Sequence, residues 1–393
     1  MNYEQQYFIK ILSDHLSARK SQPVLKLDWS VIAGLSRSHQ VEGIVYYQCK
    51  DFMPGDICQR FNESYANTVY TYANRKALMN SVINEFNSKG LFMFLVKGLR
   101  VSPHYPVPAL RTMSDCDIVV RRKDMAVVHQ LMKSMGFESK GNISLEQSGF
   151  DKRGMHFEVH DRLVQEGEYA TNRQAAFFNN YDIYVSKGEA DASFHFLFLL
   201  MHLRKHFLNH GVGMRQFMDL AVEIQRNEKL NWGWIEEKLD FLRLDRFAHV
   251  CYSLIEIWFG IKASVDYELP DNSIVEAVTE KILSDGVFGF DNKQNWNVDA
   301  YTALVIAKGP MWFRRISVIW QKVFLNYEIM RGHEECQFVD GRPWLLPVAW
   351  AIRFINIVTR DDNTRAISVI KNSLISKTEL EMRKELLEKM GLL

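Results

Sequence analysis

The chain has 393 residues, 47% hydrophobic, 12% aromatic and 24% charged, a globular composition long enough for two or three domains whose cores need no covalent staples. A formal net charge of +1 excludes a global field pulling the molecule onto nucleic acid or an anionic membrane, so only short runs such as Arg121-Arg122-Lys123 act locally. Five scattered cysteines without a CxxC pair exclude a zinc ribbon or a disulfide framework and point to reduced thiols in the cytoplasm.

The start, Met1 to Lys10, carries charge inside its apolar run and does not read as a signal peptide. From Asn2 to about Lys89 the pattern is helical. Phe61, Tyr65, Val69, Tyr72, Met79, Val82, Ile83 and Phe86 recur at helical spacing, which predicts one long helix packed along an aromatic stripe, with Gly90 as its stop. Leu91 to Val96 is a strand-length apolar run, followed by Lys97-Gly98 and a loop bearing Pro103, Pro106 and Pro108. Asp115 to Val120 is the next strand. Asp124 caps a helix to about Met135, Gly136 closes it, and Phe137 to Phe157 reads as strands joined by turns at Gly141, Gly149 and Gly154.

From Ala192 onward helices return. Phe194 to Phe207 is nearly all apolar apart from His195, His202, Arg204, Lys205 and His206, so a central buried helix is expected. Met214 to Ile224 forms another. Trp344 to Val358 is the most membrane-like window, but Pro347, Arg353 and Asn356 interrupt it, and a core helix is the expected outcome. Lys377 to Lys389 reads as a solvated terminal helix with Leu380, Met382, Leu386 and Leu387 inward. The fold class is therefore α+β: an N-terminal helical region over residues 1–77, a mixed α/β core over 78–190 and a helical domain over 191–393.

Side chains alternate along a strand, so Asp115 and Asp117 share one face about 7 Å apart, and Glu158 joins them from a neighbouring strand. Such acids repel unless cations lie between them, which predicts a Mg²⁺ site, with Mn²⁺ as a substitute, of the kind that clamps both oxygens of a phosphoryl displacement. Lys97 supplies a point charge for phosphate, Gly98 lets the backbone approach a ligand, and Arg111 offers a fork for a second phosphate oxygen. Ser114, just before the carboxylate strand, joins this nucleotide-binding set. In His156-Phe-Glu158-Val-His160 the polar groups share a face; His160 orients a carboxylate or closes the pocket, and His156 is rim. The i, i+4 pair His202 and His206 has metal-ligand spacing but no third ligand. Lys205, on an apolar helix, needs an anion, either substrate phosphate or Asp219, while Arg215 and Asp219 read as a helix ion pair that also holds the nucleotide side.

Taken together, Lys97-Gly98, Arg111, Asp115-x-Asp117, the Gly136-Phe137 turn, Glu158-Val-His160, His202-x-x-Lys205-His206, Arg215, Asp219 and Arg342-Pro-Trp344-Leu-Leu-Pro347 resemble the bacterial nucleotidyltransferase-like family of the DNA polymerase β superfamily, over roughly residues 40 to 360. Three departures stand out: Lys97-Gly98 replaces the usual Gly-Gly or Gly-Ser, the gap to Asp115 is longer than typical, and the third carboxylate is Glu rather than Asp. The resemblance implies a polymerase-β-type core, transfer of a nucleoside monophosphate from NTP, and catalytic carboxylates at Asp115, Asp117 and Glu158. The acceptor is a hydroxyl on a small molecule, a tRNA end or a protein. The alternatives are a catalytically silent nucleotide-binding scaffold and a toxin-like tRNA-modifying enzyme.

Overall fold

The computed structural model describes residues 1–140, 147–164, 170–209, 211–268, 270–286, 334–359 and 377–393, with isolated positions between 304 and 330. The turn expected at Gly141 lies outside them. Helices α1 (Tyr3–Leu16), α2 (Trp29–Ser38) and α3 (Glu42–Cys49) precede the long α4 (Gly55–Ser88). The predicted stripe is the packing edge of α4, with Phe61, Met79, Val82 and Phe86 buried. Its end is set by backbone chemistry. Gly90 takes φ +64°, and the amides of Gly90 and Leu91 turn back onto the carbonyls of Asn87 and Phe86, satisfying orphan acceptors at the helix end.

Five strands then form one mixed sheet: β1 (Met93–Leu95), β2 (Asp115–Val120), β3 (Glu138–Lys140), β4 (Gln147–Lys152) and β5 (Met155–His160), in the order β1-β2-β5-β4-β3. β2 and β5 run parallel with Asp117 opposite Glu158, and the other pairings are antiparallel. A short helix, α5 (Gly98–Val101), follows β1, and α6 (Met125–Ser134) connects β2 to β3. Asp124 occupies the α6 cap position, but its side chain makes no capping hydrogen bond.

The period of two sorts the sheet faces. Cys116, Ile118, Val120, Phe157 and Val159 point into a core shared with α6 and the C-terminal turns of α4. The opposite face carries Asp115, Asp117, His156, Glu158 and His160. It lies toward the larger core, which joins the N-terminal helices to α8 (Ala192–Asn209), α9 (Met214–Arg226), α10 (Trp232–Leu242), α11 (Asp245–Phe259) and α12 (Asn272–Asp285). A helix α7 (Asn172–Asn179) leads from the sheet toward α8. Phe194, Phe196, Leu197, Leu200 and Leu203 bury α8 as its apolar sequence dictates, each contributing about 1.5–3 kcal/mol of transfer free energy. Residue 77, the expected boundary, falls inside α4, whose two halves serve the two cores.

Two expectations for the C-terminal region are corrected. The helix α13 (Leu346–Thr359) buries Ala349 against Met330, Cys336 and Val339 but leaves Val348 and Ile355 exposed, as is Trp344 in the turn before it, so its described side chains pack on a small separate cluster rather than in the main core. The last helix, α14 (Lys377–Lys389), is docked rather than merely solvated: Leu380, Arg383 and Leu387 are buried, and Arg383 donates to the carbonyl of Phe207 at 2.6 Å. Met382 is exposed because the i, i+3, i+7 stripe through Leu380 turns it outward. No helix of the described residues is long and apolar enough to cross a membrane.

Candidate active site

Three arginines fix the loop that delivers β2. Arg75, a charge on the buried stripe of α4, donates to the carbonyls of Met113 and Ser114. Arg111 Nη1 donates to the Thr112 carbonyl at 3.0 Å. Arg215 Nη1 on α9 reaches Gln40 Oε1 and the Thr112 carbonyl at 3.0 Å, and Thr112 Oγ1 at 3.2 Å. Backbone carbonyls of this loop thus find charged donors, so Asp115 begins its strand from a held position.

The turn after β1 is set by Lys97, which adopts φ 54°, a costly conformation for a residue with a Cβ. Its amide donates to His195 Nε2 of α8 at 3.1 Å. Burial lowers the His195 pKa to about 4, which keeps the ring neutral and its Nε2 able to accept. Glycine is needed next for space: a Cβ on Gly98 would lie 3.1 Å from Arg111 Nη1 and 3.3 Å from Met113 Sδ. The neighbour that approaches Gly98 is therefore the Arg111 loop.

Asp117 is 4% exposed. Its Oδ1 accepts from Lys97 Nζ at 2.8 Å and lies 2.9 Å from His160 Nε2. His160 Nε2 is also 3.4 Å from Glu158 Oε2. Burial opposes ionisation of Asp117, but the Lys97 charge and the His160 hydrogen bond outweigh it and hold the carboxyl below its usual range. Burial likewise opposes charge on Lys97 and His160, yet the Asp117 contacts raise both pKa values. The hydrogen bond to His160 lowers Glu158. Asp115 behaves differently: burial and then the negative charge of Asp117 raise it. Asp117, Glu158 and His160 each offer one ligand atom within 4.8 Å of the others. Asp115 stands outside that group, two residues earlier on the same strand face.

Several expected partners are different. Arg111 does not present its fork to the carboxylate face: Nε and Nη2 bind Asp219 Oδ1 and Oδ2 at 3.1 and 2.5 Å, and Tyr105 donates to Asp219 Oδ1 at 2.7 Å. Asp219 therefore pairs with Arg111 rather than with its helix neighbour Arg215. Arg215 is 8% exposed, and burial followed by the nearby Arg111 charge lowers its pKa to about 10. Ser114 is exposed, with its carbonyl on Arg75. His156 Nδ1 is 2.6 Å from Asp151 Oδ1 on β4, at the rim. His202 and His206 face each other, Nε2 to Nε2 at 3.0 Å; among the described residues the three-ligand group is the one at Asp117. Lys205 is half-buried on α8 and acts electrostatically on His202, as do Lys97 and His160, so α8 borders the carboxylate face.

Arg75 and His195 are the contributors that motif reading misses. The signal for Arg75 is a charge at helical spacing between Tyr72 and Met79 of an apolar stripe, and for His195 a polar interruption of a buried helix.

A mixed sheet with an acidic cluster on one face, packed against helices, defines an α+β protein. The family model described as uncharacterised nucleotidyltransferase matches residues 26–260, more than half of the chain. The chain belongs to that family and is a transferase of nucleotidyl groups. The match ends before Arg342–Pro347, so that segment of the earlier resemblance falls outside it. No curated protein and no solved structure matches the chain.

Proposed function

We propose that the protein transfers a nucleoside monophosphate from NTP to a hydroxyl acceptor in a divalent-metal-dependent reaction centred on Asp117 and Glu158. The observation that carries this reading is their side-by-side register on parallel strands, with Asp115 on the same face and Lys97 and His160 on the Asp117 carboxylate. The donor set fits Mg²⁺ or Mn²⁺, since Asp115, Asp117 and Glu158 supply hard oxygens while His160 is better suited to orienting a carboxylate than to binding these ions. Bound there, such ions would offset the clustered negative charge and polarise the α-phosphate.

The remaining work falls to the chain's own side chains. Residues 78–190 form the catalytic core in this reading, and the helical regions 1–77 and 191–393 frame it. Lys97 and Arg215 face the pyrophosphate side; Arg215 uses Nη1 for the loop, leaving Nε and Nη2 for a phosphate. Lys205 and the exposed Ser114 border the nucleotide, and Arg111 acts through Asp219 by holding the Gly98 turn. The acceptor oxygen forms a bond to the α-phosphorus, the bond to pyrophosphate breaks with its electron pair on the leaving oxygen, and the hydroxyl proton passes to a Glu158 carboxylate oxygen. Titration of the Asp115→Asn/Asp117→Asn double variant with Mg²⁺ and NTP tests the site: the fold persists and metal-dependent NTP binding is lost, whereas unchanged binding removes these carboxylates from it.

A further inference from the structure

The basic run Arg121-Arg122-Lys123 has no part in the chemistry above, yet it lines a cleft of about 500 Å³ together with Asp161, Arg162, Asn179, Tyr181 and Asp182. Parallel pairing of β2 and β5 as far as Val119 and His160 brings their C-terminal ends to one edge of the sheet. Arg121–Lys123 follow one strand and Asp161–Arg162 the other.

The frame of the cleft is tied in place. The Tyr181 hydroxyl bridges the strand ends, 3.0 Å from the Val120 carbonyl and 3.2 Å from that of Asp161. The Asn179 amide accepts from Leu163 and Val164 and donates to the Val164 carbonyl, fixing the chain beyond Arg162. Arg121 lies over the Phe92 ring at 4.2 Å and donates to Asp182 at 3.0 Å, and Arg122 Nε is 3.7 Å from Asp161 Oδ2. Four cationic side chains thus meet two carboxylates in a protein whose net charge is only +1. Local positive charge around an open cleft is suited to an anion, and arginine to a phosphate.

Position decides which phosphate. The Val96 amide bonds to the Asp117 carbonyl and Leu95 pairs with Ile118, so the Lys97 turn lies toward the start of β2. Arg121 is four residues beyond Asp117 in the opposite direction, about 13 Å at about 3.3 Å per residue. Attacking and leaving oxygens lie roughly in line across the transferred phosphorus. The Lys97 and His160 side chains meet on Asp117, but their backbones lie toward opposite ends of β2: with pyrophosphate on the side of the Lys97 turn, the acceptor approaches along β5 past His160, whose backbone is level with Val119, and the cleft begins one residue beyond it.

We propose that this cleft binds a phosphate group carried by the acceptor; the assignment of sides rests on the transfer reaction proposed above. The shared ligand chemistry is a phosphate ester, from a phosphorylated small molecule or from the backbone of a single-stranded RNA end. The test uses the full chain, inorganic phosphate and a ten-nucleotide single-stranded RNA as probes, and two double variants at exposed positions, Arg122→Glu/Lys123→Glu and the milder Arg122→Gln/Lys123→Gln.

Phosphate is expected to bind the parent chain and to lose at least tenfold in affinity in both variants, while Mg-dependent NTP binding is retained. Equal phosphate affinity in parent and variants, or none in the parent, overturns the cleft. Loss of NTP binding in the Asp115→Asn/Asp117→Asn variant is read separately, so the two readings fail independently. If RNA binding also weakens and its salt slope falls by about 1.4, from two lost cation contacts at about 0.7 each, the phosphate belongs to RNA. RNA binding that ignores the substitutions, with phosphate binding still dependent on them, assigns the cleft to a small phosphorylated acceptor.

Discussion

Replacing Asp219 by Asn removes one charge and exchanges one acceptor for a donor at the centre of a buried network. Asp219, Arg111 and Tyr105 are 6%, 8% and 3% exposed, and the carboxylate accepts three hydrogen bonds of 2.5 to 3.1 Å. Asparagine can still accept through its oxygen, but its amide meets Arg111 donor to donor and leaves the guanidinium without a counter-charge. Breaking a buried pair in this way costs about 3–5 kcal/mol. Removing both charges with Arg111→Met/Asp219→Leu deletes the stranded ion, leaving chiefly the Tyr105 hydroxyl unsatisfied at about 1–3 kcal/mol. The double variant should therefore be more stable than Asp219→Asn. Urea unfolding of the parent, Asp219→Asn and the double variant, followed by tryptophan fluorescence, measures this order. A cost below about 1 kcal/mol for Asp219→Asn, within the range of exposed pairs, would show that water screens the pair and refute the reasoning.

Glu158→Gln should lower turnover by about a hundredfold or more while NTP binding changes little, as expected for a lost general base; a change confined to NTP affinity makes Glu158 a peripheral ligand instead. Arg75→Met strips the Met113 and Ser114 carbonyls of their charged donor; at about 1.5–3 kcal/mol per such bond both melting temperature and NTP binding should drop, and steady-state measurements that find neither remove Arg75 from the loop's support. Acid should destabilise the fold through His15, His39 and His195, which burial holds at about 4 against 6.5 unfolded. Their neutral forms contribute full stability above about pH 6.5, and each loses about 1.4 kcal/mol per pH unit as pH falls toward 4. Urea midpoints from pH 7.5 to 4.5 check the sign, and a flat profile contradicts the burial of these rings.

Elements whose information is local were legible in the chain. The stripe from Phe61 to Phe86 gave α4, Gly90 and Gly136 gave helix stops because only a positive φ closes those turns, and alternation put Asp117 and Glu158 on one face. Partner choice was not local. Asp219 pairs with Arg111, 108 residues away, although Arg215 sits one helical turn from it, and nothing in the spacing ranks those two arginines. His195 beneath the Lys97 amide and Arg383 on the Phe207 carbonyl are fixed only when distant helices pack. The candidate carboxylates could thus be read from period two, whereas the side chains that hold their loops in place could not.

The most direct test of nucleotidyl transfer is to incubate the protein with Mg²⁺, a cell extract and NTP labelled at either the α- or the γ-phosphate, then follow where each label goes. The account predicts that the α label enters an acceptor and the γ label leaves in pyrophosphate, with both signals lost in Asp117→Asn. Transfer of the γ label to an acceptor, or equal α transfer by Asp117→Asn, would contradict it.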